Sequence, residues 1–221
     1  MKINDLKKRI TAVYAGRFHP FHRGHAQAFR ELQGKFGTDV TYIATSGKVE
    51  PGKSPFTFEE KREMILAALP GLDTSRVFEE PVPYAPVRLP AELGLDPEQD
   101  VLVFAVGSKD MAEDPRFTFR PLKDGTPSYF QPYRGNEKDL RPYTNTKNAD
   151  GTRAGHGYIY PVQDYKFAVA GKTAGSASEI RNQFATATDE TKKRIIAELY
   201  PEADANTQAR LLNIFNKRLT A

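Results

Sequence analysis

The chain predicts an α/β fold: a doubly wound parallel sheet with helices on both faces, a long polar excursion and a helical C-terminus. Three observations carry this. A short apolar run, a helical stretch and a second apolar run follow one another between residues 10 and 45. Val101 to Val106 is apolar without interruption, as expected of a central strand covered on both faces. After residue 158 two more strand-like segments lead into helices.

Ile10 to Ala15 ends at Gly16 and reads as a buried first strand. Arg23 to Lys35 carries Ala26, Ala28, Phe29 and Leu32 at helical spacing, and Val40 to Thr45 forms a second strand. A strand–helix–strand opening implies a parallel pair joined by a right-handed crossover. A polar loop, Ser46 to Pro55, precedes a capping box of Thr57 and Glu60. The helix it opens runs to Leu69, buries Met64, Ile65, Ala68 and Leu69, and stops at Pro70-Gly71. Val77-Phe78 is a short third strand.

From Ala112 to His156 apolar periodicity disappears, and Pro, Gly, Arg, Lys and Tyr dominate. This segment reads as an excursion from the sheet, a flap or lid inserted in a domain of residues 1–184. Tyr158 to Val162 and Lys166 to Ala170 restore strand character. Ser176 and Glu179 begin a helix toward Phe184. Residues 185–221 form a helical extension, Glu190 to Leu199 and Ala205 to Leu219, the last with an apolar stripe of Leu212, Phe215 and Leu219.

A chain of 221 residues, 39% hydrophobic and 27% charged, buries one substantial core and is not disordered. Its net charge of +4 suits an anionic small ligand more than a nucleic acid. With no cysteine it has no disulfide, thiolate metal site or cysteine nucleophile. Met1 to Arg9 is charged, without the apolar core of a signal peptide, and no stretch is long enough to span a membrane. A cytoplasmic location is expected, and a homo-oligomer is compatible with the composition.

The chemistry concentrates between Tyr14 and His25, which holds three of the four histidines. Gly16 lets the chain turn sharply after the strand, and Gly24 lets a phosphate approach the backbone. Unpaired N–H groups at a helix start bind phosphate without a bulky side chain intervening. His22 and His25 lie one helical turn apart, so both rings can face one phosphate and stabilise charge growing on it. Arg17 adds a permanent positive charge with a fork of donors. A metal held by the three histidines ranks below phosphate binding, because no carboxylate partner stands at ligand spacing. His19 and His156 carry no assigned role.

Gly16-Arg17-Phe18-His19-Pro20-Phe21-His22-Arg23-Gly24-His25 resembles the Gly-Arg-Phe-Gln-Pro-x-His-x-Gly-His signature of the nucleotidylyltransferase superfamily. Within it the segment is most similar to nicotinamide mononucleotide adenylyltransferases of archaeal type and to related bacteriophage nucleotidyltransferases. The one departure is His19, where glutamine is usual. Gly175-Ser176-Ala177-Ser178-Glu179-Ile180-Arg181 resembles the superfamily's Ile-Ser-x-Thr-x-x-Arg, with serine for threonine. There Ser176 caps a helix, Ser178 offers a hydroxyl and Arg181 reaches a phosphate.

Lys53-Ser54-Pro55-Phe56-Thr57 resembles an Asn-Pro-Phe-Thr segment, which makes Lys53 and Arg62 secondary candidates for the acceptor or a phosphate, with Lys172 beside them. Gly107-Ser108-Lys109-Asp110 sits where open α/β sheets bind ligands and is similar to the turn that holds the nucleoside; Asp110 would accept from a ribose hydroxyl. The resemblance covers about residues 10–110 and 158–184.

The resemblance implies a Rossmann-like fold and an enzyme that moves a nucleoside monophosphate from a triphosphate to a phosphorylated acceptor, releasing pyrophosphate. ATP with nicotinamide mononucleotide, giving NAD, is the favoured pair. A cytidylyltransferase using CTP and a small phosphorylated alcohol is the rival, and a non-catalytic nucleotide-binding or assembly protein is a third possibility. Catalysis would fall to His22, His25 and Arg17. Nucleotide and phosphate would be held by Gly16, Phe18, Gly24, Gly107, Asp110, Ser176, Ser178 and Arg181. Mg²⁺ would arrive on the triphosphate, without a metal site of the protein's own. The partners are small molecules, not membrane or nucleic acid. Between Arg116 and Arg153, Tyr129, Phe130, Tyr133 and Tyr143 interleave with Arg120, Arg134, Arg141 and Lys147; the favoured reading is a surface flap whose tyrosines pack against its own backbone, the alternatives a lid over the site or a surface that stacks bases.

Overall fold

Apolar runs interrupted by glycine become strands here, and the capped, periodic segments become helices. The computed structural model describes residues 9–220 except 82, 84–88, 98, 114–118, 122, 124, 126–129, 136–139, 143–156 and 175. The readings on Arg116, Tyr129, Tyr143, Lys147, Arg153, His156 and Gly175 therefore lie outside the described residues.

The strands are β1 (Arg9–Ala15), β2 (Thr41–Thr45), β3 (Val77–Glu79), β4 (Asp100–Gly107), β5 (Phe130–Pro132), β6 (Gly157–Val162), β7 (Phe167–Val169) and β8 (Lys172–Ala174). The helices are α1 (Arg23–Phe36), α2 (Phe58–Ala68), α3 (Leu89–Glu92), α4 (Ser108–Glu113), α5 (Ala177–Ala185), α6 (Asp189–Leu199) and α7 (Ala205–Leu219). Six strands form one sheet in the order β3-β2-β1-β4-β6-β5. β4 runs parallel to β1, with Ile10 opposite Val101, and parallel to β6, with Phe104 opposite Ile159. Every residue of β4 from Asp100 to Val106 is buried, as its unbroken apolar character demands.

By contacts the chain divides into two units. The first takes residues up to 15, 32–43 and 86–163. In it Val101, Val103, Leu140 and Tyr158 pack with Ile10, Phe36, Tyr133 and Tyr160. Arg9 grips Asp100 with two hydrogen bonds, Nε to Oδ1 at 2.6 Å and Nη2 to Oδ2 at 2.8 Å, at the start of the β1–β4 register. Part of the segment read as an excursion returns to the sheet: Phe130 to Pro132 pair in parallel with β6. Gly157 permits this, since a Cβ there would lie 3.2 Å from the Phe130 ring. Three residues are too few to announce themselves by periodicity.

The second unit takes residues 16–31, 44–85 and 164–221. Its core includes Phe21, Phe29, Phe56, Met64, Ile65, Phe184, Tyr200 and Phe215, all below 2% exposed. α2 has the full capping box of Thr57 and Glu60. Ser176 caps α5 by accepting from Glu179 N at 3.3 Å. The expected strand at 166–170 is half of an antiparallel hairpin. Ala170 and Gly171, both at positive φ, turn it into β8, a two-residue connection of the kind the strand twist favours. On α7, Leu211 and Phe215 are buried, whereas Leu212 and Leu219 are only partly so. The helix packs against α2, α5 and α6. Its Arg218 reaches Glu60 of α2 at 2.8 Å. Of the expected stripe Phe215 is buried, while Leu211 takes the buried place expected of Leu212.

Candidate active site

The turn after β1 is built by close approach. Gly16 N donates to Ala44 O at 3.1 Å, and a Cβ on Gly16 would lie 2.5 Å from the Phe18 ring. Phe18, at φ 47°, points inward, 7% exposed, edge-on to Phe21 and His25 at 5.1 and 5.0 Å. It props the loop from beneath. Arg17 beside it is exposed, and its carbonyl accepts from Thr45 Oγ1 at 3.2 Å and Lys61 Nζ at 3.1 Å.

His22 and His25 stack, ring centroids 3.7 Å apart and planes 23° off parallel. His22 Nδ1 accepts from Gly24 N at 3.2 Å, and His25 Nδ1 accepts from His22 N at 3.3 Å. A neutral imidazole that accepts at Nδ1 carries its proton on Nε2, and this tautomer is assigned from those bonds. Burial holds both rings neutral: His25 is pushed down to about 3, and His22, with His25 against it, falls well below the usual 6.5. At neutral pH the pair offers N–H donors and no positive charge.

At Gly24 the chain itself makes the close approach. A Cβ there would sit 3.0 Å from the Phe167 ring, 3.1 Å from Tyr165 O and 3.2 Å from His22 Cε1. Arg23 Nη2 donates to Ala168 O at 2.8 Å, and its guanidinium lies 4.7 Å over Phe167. The β7–β8 hairpin is thus clamped to the start of α1, with Phe167 against His22 at 4.9 Å.

α5 brings Arg181 to the same loop. Its Nη1 donates to His19 O at 2.6 Å, and its Nη2 to Ser178 Oγ at 3.1 Å and Gly52 O at 3.3 Å. The two sequence motifs therefore meet through Arg181. Arg181 is held below its ordinary pKa by burial and by the nearby Arg17. Ser178 is exposed, and Ser176 serves as the cap.

Lys61 is the residue that sequence reasoning missed. It is fully buried on α2, donating to Arg17 O, to Thr45 Oγ1 at 2.9 Å and to Ser46 O. Burial pushes it down to about 8, with Glu79 acting in the opposite sense. A signal existed: Lys61 stands in step with Met64, Ile65 and Ala68, a lysine on an apolar helical face.

The remaining candidates have contacts of their own. Lys53 is exposed, 3.7 Å from Glu50, and Arg62 pairs with Glu59 at 2.5 Å. Lys172 is exposed on β8. Gly107 and Asp110 belong to the first unit. There Ser108 Oγ donates to Val162 O at 2.6 Å, and a short helix replaces the expected turn, with Asp110 exposed upon it. A cavity of about 510 Å³ between α2 and the start of α7 is lined by charges of both signs, including Glu63 and Arg210; of the candidates only Arg62 borders it, and neither His22, His25, Arg17 nor Arg181 does.

A family model described as cytidylyltransferase-like matches residues 13–123. The nicotinamide-nucleotide adenylyltransferase of Saccharolobus solfataricus is 33% identical over 73 residues, which cover 32% of this chain and 42% of that one. The enzyme of the same name from Halorubrum lacusprofundi is 30% identical over 66 residues, 30% of this chain and 38% of that one. The match thus spans less than half the length of these relatives. Two solved structures are also similar. One is a bifunctional NMN adenylyltransferase/ADP ribose pyrophosphatase from Francisella tularensis, complexed with AMP and a Mn ion (TM-score 0.48, 16% identity, covering 96% of this chain and 52% of that one). The other is the Plasmodium falciparum nicotinic acid mononucleotide adenylyltransferase complexed with NaAD (TM-score 0.49, 13% identity, 94% and 96%).

Proposed function

We propose a reaction for this chain on the premise that it belongs to the cytidylyltransferase-like family. It transfers a nucleoside monophosphate from a nucleoside triphosphate to a phosphorylated acceptor and releases pyrophosphate. ATP and nicotinamide mononucleotide, giving NAD, are the substrates favoured by the names of its archaeal relatives. The observation that carries the reading is the stacked neutral pair, His22 and His25, beside the Arg17–Arg181 cluster in one unit.

An acceptor phosphate oxygen attacks the α-phosphorus, and the bond from that phosphorus to the pyrophosphate oxygen breaks. The acceptor is already nucleophilic, so no covalent intermediate with the protein is needed. The Nε2–H groups of His22 and His25 donate to phosphate oxygens as charge grows there. Fixed donors of this kind need no reorganisation during the step. Arg17 and Arg181 neutralise the departing pyrophosphate.

Among the described residues no group of three or more His, Cys, Asp or Glu is placed to hold a metal ion. In this reading a divalent cation arrives as part of the metal–triphosphate substrate, and no step is assigned to it. Among the described residues no helix is long and apolar enough to cross a membrane. A cytoplasmic location, where these nucleotides are found, belongs to the same proposal.

The test is pyrophosphate release from ATP with nicotinamide mononucleotide, set against CTP with phosphorylated alcohols. His25→Ala is expected to lower kcat by roughly 10²–10³ with unchanged circular dichroism. An unchanged kcat would remove His25 from the chemistry. Nucleotide binding without pyrophosphate from any acceptor would support the binding-protein alternative.

A further inference from the structure

We infer that His19 is a phosphate-binding residue, completing with Arg17 and Arg181 a cluster that takes a phosphate group of the substrate. The inference rests on the proposed reaction for what the substrate is, but not for the site itself. His19 is 5% exposed, and neither of its ring nitrogens has a hydrogen-bond partner among the described residues. Buried polar atoms are nearly always paired, so a ring with both nitrogens bare calls for a partner that the described residues do not supply. The ring is not loosely placed: it stacks on Phe56, planes 13° apart and centroids 6.1 Å apart.

What surrounds it names the chemistry. Arg181 Nη1 lies 2.6 Å from the carbonyl of His19 itself. Lys61 Nζ lies 3.1 Å from the carbonyl of Arg17, two residues earlier, and the Arg17 side chain is exposed beside them. The charges of Lys61, Arg181 and Arg17 all disfavour a protonated imidazole here, while Glu79 favours the charged form of Lys61. Burial and these three charges hold the ring neutral, its pKa pushed down to about 3. A neutral ring amid cations presents an N–H donor without adding a fourth charge, and the group that satisfies donor and cations together is a phosphate.

Glutamine, usual at this position in the signature that the segment resembles, shares with neutral histidine a donor beside an acceptor. That shared property, rather than size or aromaticity, is what the site would require.

The phosphate can come from the triphosphate tail or from the acceptor, and two probes separate them: pyrophosphate and nicotinamide mononucleotide. His19→Phe keeps the ring stacked on Phe56 and removes both nitrogens. Its unliganded melting temperature is expected to rise by a few degrees, since two unpaired buried atoms are gone. Its affinity for one of the two probes is expected to fall about tenfold or more, and His19→Gln to retain most of it. Loss with pyrophosphate alone places the contact on the triphosphate side; loss with the mononucleotide alone places it on the acceptor. Equal affinity of wild type and His19→Phe for both probes overturns the inference, as does a wild type that binds neither. A wild type that binds them without releasing pyrophosphate in turnover defeats the proposed reaction and leaves the site standing.

Discussion

Lowering the pH from 7 to 5 is expected to cost the protein about 4 kcal/mol of unfolding free energy through the imidazoles of His19 and His25, with His22 acting in the same direction. His19 and His25 are pushed down to about 3 by burial, and His22 falls well below the usual 6.5 for the same reason. In the unfolded chain each takes up a proton near pH 6.5. Between there and about 3 the unfolded state binds protons that the folded state refuses. The stability they contribute is thus fully present above pH 6.5 and is lost as the pH falls through that window. His19 and His25 each account for about 2 kcal/mol between pH 7 and 5, a large share of the roughly 5–15 kcal/mol that holds a domain together. Asp73, Asp204 and Glu198, whose hydrogen bonds lower their pKa, add little between pH 7 and 5, because unfolded carboxyls take up their protons mostly below that range. Urea unfolding at half-unit steps of pH and constant ionic strength measures the slope. It should approach at least two protons per molecule near pH 5, and His19→Gln should remove one of them. A wild-type slope below about one proton between pH 6 and 5, or one unchanged by His19→Gln, would refute the neutral-imidazole account.

Two further outcomes follow from the same contacts. Lys61, pushed down to about 8 by burial, releases its proton in the folded state before the unfolded state does. Stability should therefore rise between pH 8 and 9.5 by up to about 2 kcal/mol, and Lys61→Met should abolish the rise; matching curves for the two proteins would count against a buried ammonium. Gly24→Ala would place a methyl 3.0 Å from Phe167 and 3.1 Å from Tyr165 O. A thermal melt should show destabilisation by about 1–3 kcal/mol, against the roughly 1 kcal/mol gain that glycine-to-alanine brings in an open helix. A net gain would mean that the hairpin does not press on α1.

The legible parts of the site were those written in consecutive residues. Gly16 to His25 announced a turn and paired histidines because its spacing is fixed by one strand end and one helical turn. Thr57 with Glu60, and Ser176 with Glu179, announced helix starts because a cap is satisfied within four residues. Lys61 was passed over because a lysine is assumed to face water, although its place in the apolar stripe said otherwise. β5 and β8 are three residues each and lack the apolar pair that marks Val77-Phe78, so nothing in the sequence announces them. On α7 the stripe holds at Phe215, but Leu211 rather than Leu212 is buried, a choice between adjacent leucines that only packing makes.

Sequence alone determined the class of fold, the motif turn, the capped helices and the superfamily resemblance, all of which depend on neighbours along the chain. Tertiary structure decided which groups lost water and which found partners. Arg181 crosses 162 residues to the carbonyl of His19, and Tyr165 and Phe167 close over Gly24 from far along the chain. Desolvation is set by whatever packs against a group, so the neutral rings of His22 and His25, the buried Lys61 and the unpaired nitrogens of His19 exist only once those distant segments are in place.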